Sequence, residues 1–206
     1  MTQYDFGDGK GPVAAHQHPN GGGWVADTAT VSSTAYVAAN AKVFGNATVS
    51  DNAKVSGNAS VFGGARVFGN AWVSDDAMIY GNAWVSDNAM IYDDAWVFGG
   101  ARVSANAKVY GKAKVSDNAK VYDDAMIYGN ARVFGNARVS GNAEVYDDAM
   151  IYGNARVSGY AEVYDDAMIY DDACVYDNAC VSDNAMICGN ARVSDKAKVS
   201  GDAKIS

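Results

Sequence analysis

The side chains best equipped for chemistry are few and scattered. The histidines His16 and His18 stand one residue apart near the start of the chain. An imidazole serves as a general base or a metal ligand, but a base needs a partner within hydrogen-bond reach, and one His-x-His pair is short of a zinc site. It reads more simply as a loop feature. The cysteines Cys174, Cys180 and Cys188 are odd in number and lack the paired spacing of a metal site, so they read as free thiols. Paired carboxylates recur at Asp75-Asp76, Asp93-Asp94, Asp123-Asp124, Asp147-Asp148, Asp165-Asp166 and Asp171-Asp172. Such oxygens suit calcium, although turn chemistry and solubility explain them at less cost. Arg102, Lys120, Arg138 and Arg156 recur at every eighteenth position. If stacked they repel, and something must offset the repulsion.

What positions these residues is a six-residue repeat. Every sixth residue from Val25 to Ile205 is Val or Ile, 31 positions without a miss, so the chain reads as one continuous solenoid and not as two domains. Every sixth residue from Ala29 to Ala203 is Ala. In a unit such as Asn46-Ala47-Thr48-Val49-Ser50-Asp51 the Ala and Val are two apart, which turns both to one side of a short strand. They point inward. The residues after Ala and after Val are then expected outward, and the remaining two form a corner. The residue before Ala is Asn, Asp or Gly in 25 of 30 units, the types that tolerate a left-handed backbone, which places the bend there. Three units close a triangular coil, and about ten coils stacked at roughly 4.8 Å give a rod with a narrow interior. Leucine is absent, so small Ala and Val side chains must supply that interior.

Units such as Val43-Phe44-Gly45-Asn46-Ala47-Thr48 and Val133-Phe134-Gly135-Asn136-Ala137-Arg138 resemble the hexapeptide-repeat superfamily over residues 24–206. The resemblance implies an all-β, single-stranded left-handed parallel β-helix and a trimeric assembly. Residues 1–23 fall outside the period, hold Pro12 and Pro19, and are expected to cap the first coil. Their Gly7-Asp8-Gly9, His16-Gln17-His18 and Asn20-Gly21-Gly22-Gly23-Trp24-Val25 are similar to the start of phage and prophage hexapeptide-repeat proteins. The other end stops in mid-pattern at Ala203-Lys204-Ile205-Ser206, a bare coil edge of the kind that is able to accept another chain. Acyltransferases of the superfamily use a histidine beside a loop that leaves the coil, and gamma-class carbonic anhydrases need three zinc histidines. Neither arrangement is visible in the repeat.

Positions eighteen apart share a face. Face one gathers Phe44, Phe62, Tyr80, Phe98, Phe134, Tyr152 and Tyr170 beside Trp96, Met78, Met150, Met168 and Met186, an apolar surface larger than monomers usually expose. It is the expected oligomer interface. Face two holds Arg102, Lys120, Arg138 and Arg156 beside Tyr122. Two readings stand there: a stripe screened by corner aspartates, or a site for a small anionic, nucleotide-like ligand. Face three carries Tyr92, Tyr110, Tyr128, Tyr146 and Tyr164, a ladder that stabilises stacked strands and is also able to bind sugars, bases or a partner. Regular threonine ranks, as an ice-binding face needs, are missing beyond Thr30 and Thr48.

A formal charge of −8, from 16 basic and 24 acidic residues, argues against duplex nucleic acid as a partner. No apolar run marks a signal or a membrane span, and a cytoplasmic setting is expected. The sequence therefore leads to a non-enzymatic rigid β-solenoid that binds or assembles, homo-oligomeric through face one, with no cofactor and no metal. The anion-binding phage-type protein and the hexapeptide acyltransferase are the alternatives.

Overall fold

The computed structural model describes residues 2–206. Three short strands open the chain, β1 (Gln3–Tyr4), β2 (Val13–Gln17) and β3 (Trp24–Ala26), and thirty two-residue strands follow, from β4 (Thr30–Val31) to β33 (Lys204–Ile205). Each consists of the residue after Ala and the Val or Ile, for example Lys42–Val43, Thr48–Val49 and Lys54–Val55. Every third strand joins the same sheet, so the coil has three sides, with sheets of 13, 10 and 10 strands. Pairing within the coils is parallel with a fixed offset: Lys42 faces Ser60 and Arg66 faces Trp84. One winding is therefore eighteen residues, and the fold is a single-stranded parallel β-helix of about ten turns.

The Ala and Val/Ile columns fill the interior, nearly all at 0% exposure from Ala35 to Ile187. A buried Val or Ile contributes roughly 1.5–3 kcal/mol, and this stack is the core. The backbone closes around it in a regular way. Lys54 N donates to Ala71 O at 2.9 Å, Ser56 N to Val73 O at 2.9 Å and Asn58 N to Asp75 O at 2.7 Å, all in the next coil. Ala53 N turns back to Ser50 O at 3.2 Å and closes the corner.

The structure moves two expectations. The left-handed residue is not the one before Ala but the one before that: Asp51, Asp75 and Asp123 have φ of 58°, 59° and 61°, and Gly45 has 67°. The position before Ala is freed for side-chain ladders, in which Asn70 Nδ2 donates to Asn88 at 3.2 Å, Asn88 to Asn106 at 3.2 Å and Asn106 to Asp124 at 3.0 Å. The residue after Val does not stand on the flat face. It lies beyond the strand, at the lip of the corner, where Phe44, Ser74, Ser116, Ser182 and Cys188 are buried.

Residues 3–26 build the first edge. β1 runs antiparallel to β2, and β2 antiparallel to β3, so the exposed side of the first coil is paired. Val37 N donates to Asn20 O at 3.0 Å and Gly23 N to Val37 O at 2.9 Å, extending that cover to a second side. At Gly21 and Gly23 a Cβ would collide with the carbonyls of Val37 and Ala38, and only glycine fits. At the far end Ile205 is 36% exposed. Among the described residues no helix is long and apolar enough to cross a membrane.

Aspartate at the left-handed position has a second task. Asp123 Oδ2 accepts from Gly141 N at 3.1 Å, and Asp51 does the same for Gly69 N at 3.0 Å, an amide that points back along the rod. Asp123→Gly is expected to lose that acceptor while keeping the backbone relaxed. Asp123→Ala loses it and adds a left-handed penalty of about 1–2 kcal/mol. Chemical denaturation should rank wild type above Gly above Ala, and Ala equal to Gly would remove backbone strain from this account.

Candidate functional site

Stacking at one rise per coil turns each residue choice into a column. On the first corner Phe44, Phe62, Tyr80 and Phe98 stack with centroids 4.8–5.0 Å apart and planes within 5°. Ser116 interrupts the column, and Phe134, Tyr152 and Tyr170 resume it at 5.0 Å. Its first rung comes from outside the repeat: Phe6 lies 4.8 Å from Phe44, above Ala26, and both Phe6 and Phe44 are buried. Phe44 is thus covered already. The other six rings are half-buried, because each covers its neighbour, so the apolar surface is smaller than a face of free aromatic rings. Trp96 remains on the flat sheet with Lys114 Nζ 4.5 Å over its ring, in line with half-buried Met78, Met150, Met168 and Met186.

Arg102, Lys120, Arg138 and Arg156 occupy successive strands of one sheet in direct register. Three are exposed, Lys120 and Tyr122 are half-buried, and among the described residues none of the four cations has a carboxylate within 4 Å. The corner aspartates thus form no salt bridge with the stripe, and Asp123 accepts from the amide of Gly141 instead. One compensation was not anticipated from the sequence: Trp84 lies between Arg66 and Arg102, whose Cζ atoms stand 5.2 Å and 5.0 Å from its ring. Cation–π attraction of about 0.5–1 kcal/mol per exposed pair relieves the repulsion at that end only. A tryptophan flanked by arginines at eighteen-residue spacing is the signal that would have found it.

The five tyrosines of the third corner stack at 4.8–5.0 Å with planes within 7°. Tyr128 Oη donates to Glu144 at 3.0 Å, and Cys180 Sγ donates to Tyr164 Oη at 3.4 Å. Burial raises the pKa of Tyr92, Tyr110 and Tyr128, and Tyr128 is raised further by its bond to Glu144. Burial and then the Glu162 carboxylate push Tyr146 up to about 12.

His16 lies on β2, exposed, with Nδ1 2.9 Å from Asp27 Oδ1, while His18 is buried with Nδ1 3.2 Å from Asn20 O. Both belong to the N-terminal edge and not to any coil face. The three cysteines are free. Among the described residues no three His, Cys, Asp or Glu gather closely enough for a metal ion.

The raised tyrosine values carry a pH dependence. A phenol that is harder to ionise in the folded protein contributes stability fully present below its ordinary value near 10, and loses it as pH rises toward 12. Folded protein is expected to develop tyrosinate absorbance later than the denatured chain, with unfolding setting in across that window. Superposed titration curves would contradict the stacked, shielded ladder.

The beta-solenoid repeat described for YdcK matches residues 71–87, 125–141, 131–147, 143–159 and 149–164. No curated protein matches the sequence. Among solved structures, that of an Arabidopsis UDP-N-acetylglucosamine acyltransferase is similar over 85% of this chain and 68% of that one, with 15% identity and a TM-score of 0.44. The matched stretches cover less than half of the chain, and their β-solenoid repeat agrees with the unbroken six-residue period and the one short strand per side of the coil.

Proposed function

We propose that this protein is a rigid β-solenoid binding and assembly module that packs against further copies of itself, as a trimer, through the first sheet. The observation that carries this reading is the outward column of that sheet. Met150, Met168 and Met186 sit in register on adjacent strands, Met78 and Trp96 form a second apolar pair of the same column on the far side of Lys114 and Arg132, and the Phe/Tyr ladder borders both. Methionine adapts to a partner surface, and a flat sheet presents it without rearrangement. Only four residues separate consecutive strands from Thr30 onward, so no loop leaves the coil to obstruct close packing. The three free thiols fit a reducing compartment such as the cytoplasm.

Sedimentation velocity tests this. Wild type is expected as an oligomer at micromolar concentration, and Met150→Glu combined with Met168→Glu as a smaller species with an unchanged far-ultraviolet spectrum. A monomeric wild type would end the proposal.

A second reading rests on the unpaired cations of the second sheet, where charge-assisted hydrogen bonds from two coils are placed to hold one anion. Inorganic pyrophosphate in calorimetry is a direct probe. Arg138→Ala should weaken its binding by about tenfold, the effect of one charge-assisted bond, and added salt should weaken it further. Lys42→Ala, on another sheet, should leave it unchanged. Absence of binding, or indifference to Arg138→Ala, would reduce the stripe to surface charge.

A further inference from the structure

The aromatic columns have missing rungs, and one of them has been filled by the protein itself. Ala26 stands where the first coil would carry the ring above Phe44, and Phe6, from the N-terminal segment, inserts there at 4.8 Å with a 23° interplanar angle. A small residue in the column thus leaves a place of ring thickness that an aromatic group from elsewhere occupies. The tyrosine ladder has such a place at its head. Its column runs Ser56, Ser74, Tyr92, Tyr110, and Tyr92 stacks on Tyr110 with no ring on its other face.

That vacancy opens into a concavity of about 380 Å³. Its second wall is Trp72, 46% exposed, the most exposed of the tryptophans and held in place by a 2.9 Å hydrogen bond from Nε1 to Ser56 Oγ. Met90 forms the floor, and Lys108, one strand farther along the same sheet, lines the rim. Lys108 makes no ion pair within 4 Å among the described residues, and the carboxylate that lines the same concavity, Asp75, accepts from Ser74 Oγ at 2.9 Å. The opposite end of the ladder differs. There the notch beside Ser182 has only Tyr164 as a ring wall, and Cys180 occupies its hydroxyl.

We infer that the notch between Trp72 and Tyr92 binds a planar aromatic ring carrying an anionic substituent, the ring completing the tyrosine ladder over Tyr92 and the anion meeting Lys108. Stacking on an aromatic face is tolerant of ring identity, so recognition is of a class: flat, aromatic and acidic. The site lies on a different sheet from both the proposed self-association surface and the Arg/Lys stripe, and stands or falls independently of them.

Calorimetry with 2-naphthoate tests the site. Wild type is expected to bind one molecule per chain with a dissociation constant of about 1 mM or tighter. Ser74→Tyr supplies the missing rung from within the chain. The fold accommodates it, because Ile91-Tyr92-Asp93-Asp94 already carries tyrosine in the same turn, and binding should fall by about tenfold or more. Trp72→Ala, at an exposed position that the fold does not need, should weaken binding by a similar factor. Lys108→Met should weaken 2-naphthoate but not neutral 2-naphthalenemethanol, and cyclohexanecarboxylate, which is not flat, should not bind wild type. Arg138→Ala should change nothing. No binding by wild type, or undiminished binding by Trp72→Ala, would overturn the site whatever becomes of the other variants.

Discussion

The fold depends on a corner that must be turned every six residues with a left-handed backbone while another corner sits directly above it. Glycine satisfies the backbone and nothing more. Aspartate satisfies it and also captures the amide that points back from the next coil, as at Asp171 with Gly189 N, 3.1 Å, and Asp183 with Gly201 N, 2.8 Å. That amide lies outside the regular ladder, and an unpaired backbone N–H is costly wherever water is restricted. The mixture of Gly and Asp along each corner is thus a choice between freedom and a bond. It also shows where much of the negative charge resides: along the corners, where left-handed aspartates such as Asp123 and Asp171 engage backbone amides and their neighbours such as Asp124 and Asp172 accept from asparagine side chains.

Translation by one coil then decides which side chains are compatible. Like groups meet like groups at about 4.8 Å. Rings gain from that spacing, and so do amides, each donating to the next. The ladder Asn118, Asn136, Asn154 ends on Asp172, which accepts and has no proton to pass on. Cations lose. The stretch from Arg102 to Arg156 is the one long column in which identical spacing is unfavourable, and only its Arg102 end is relieved, by Trp84.

This division sets what the sequence reveals. The Val/Ile and Ala columns are legible because burial acts on single positions, and a missed position would leave a polar group in a dry interior. The coil length and sheet membership follow from the period alone. Features that depend on the neighbour eighteen residues away are less legible. Asn and Asp both tolerate a left-handed backbone, so composition did not say that the bend belongs to Asp123 and the amide ladder to the residue beside it. The residue after Val was expected on the open face, yet each strand ends at Val or Ile, which sets Tyr80 and Phe98 at the corner lip, where stacking half-covers them. Phe6 lies outside any period, and its role became visible only once Ala26 and Phe44 were placed. Trp72 beside Ser74 carries no motif, because its meaning comes from a ring absent above Tyr92.

Departures from translational symmetry therefore matter more than the repeat itself. A perfect ladder offers every surface position the same environment and gives a small ligand no reason to prefer one coil. A substitution such as Ser74 in a tyrosine column makes one coil unlike its neighbours, and the rigid scaffold keeps the resulting notch in shape. Binding there orders little backbone, which removes one of the main entropic costs of recognition. The same rigidity works against induced fit: a ligand that is not flat finds walls fixed by paired strands on both sides, with Trp72 tied to Ser56 and Tyr92 to Tyr110. Selectivity in such a protein comes from which rungs are left out, and affinity from how well the neighbouring rungs face the gap.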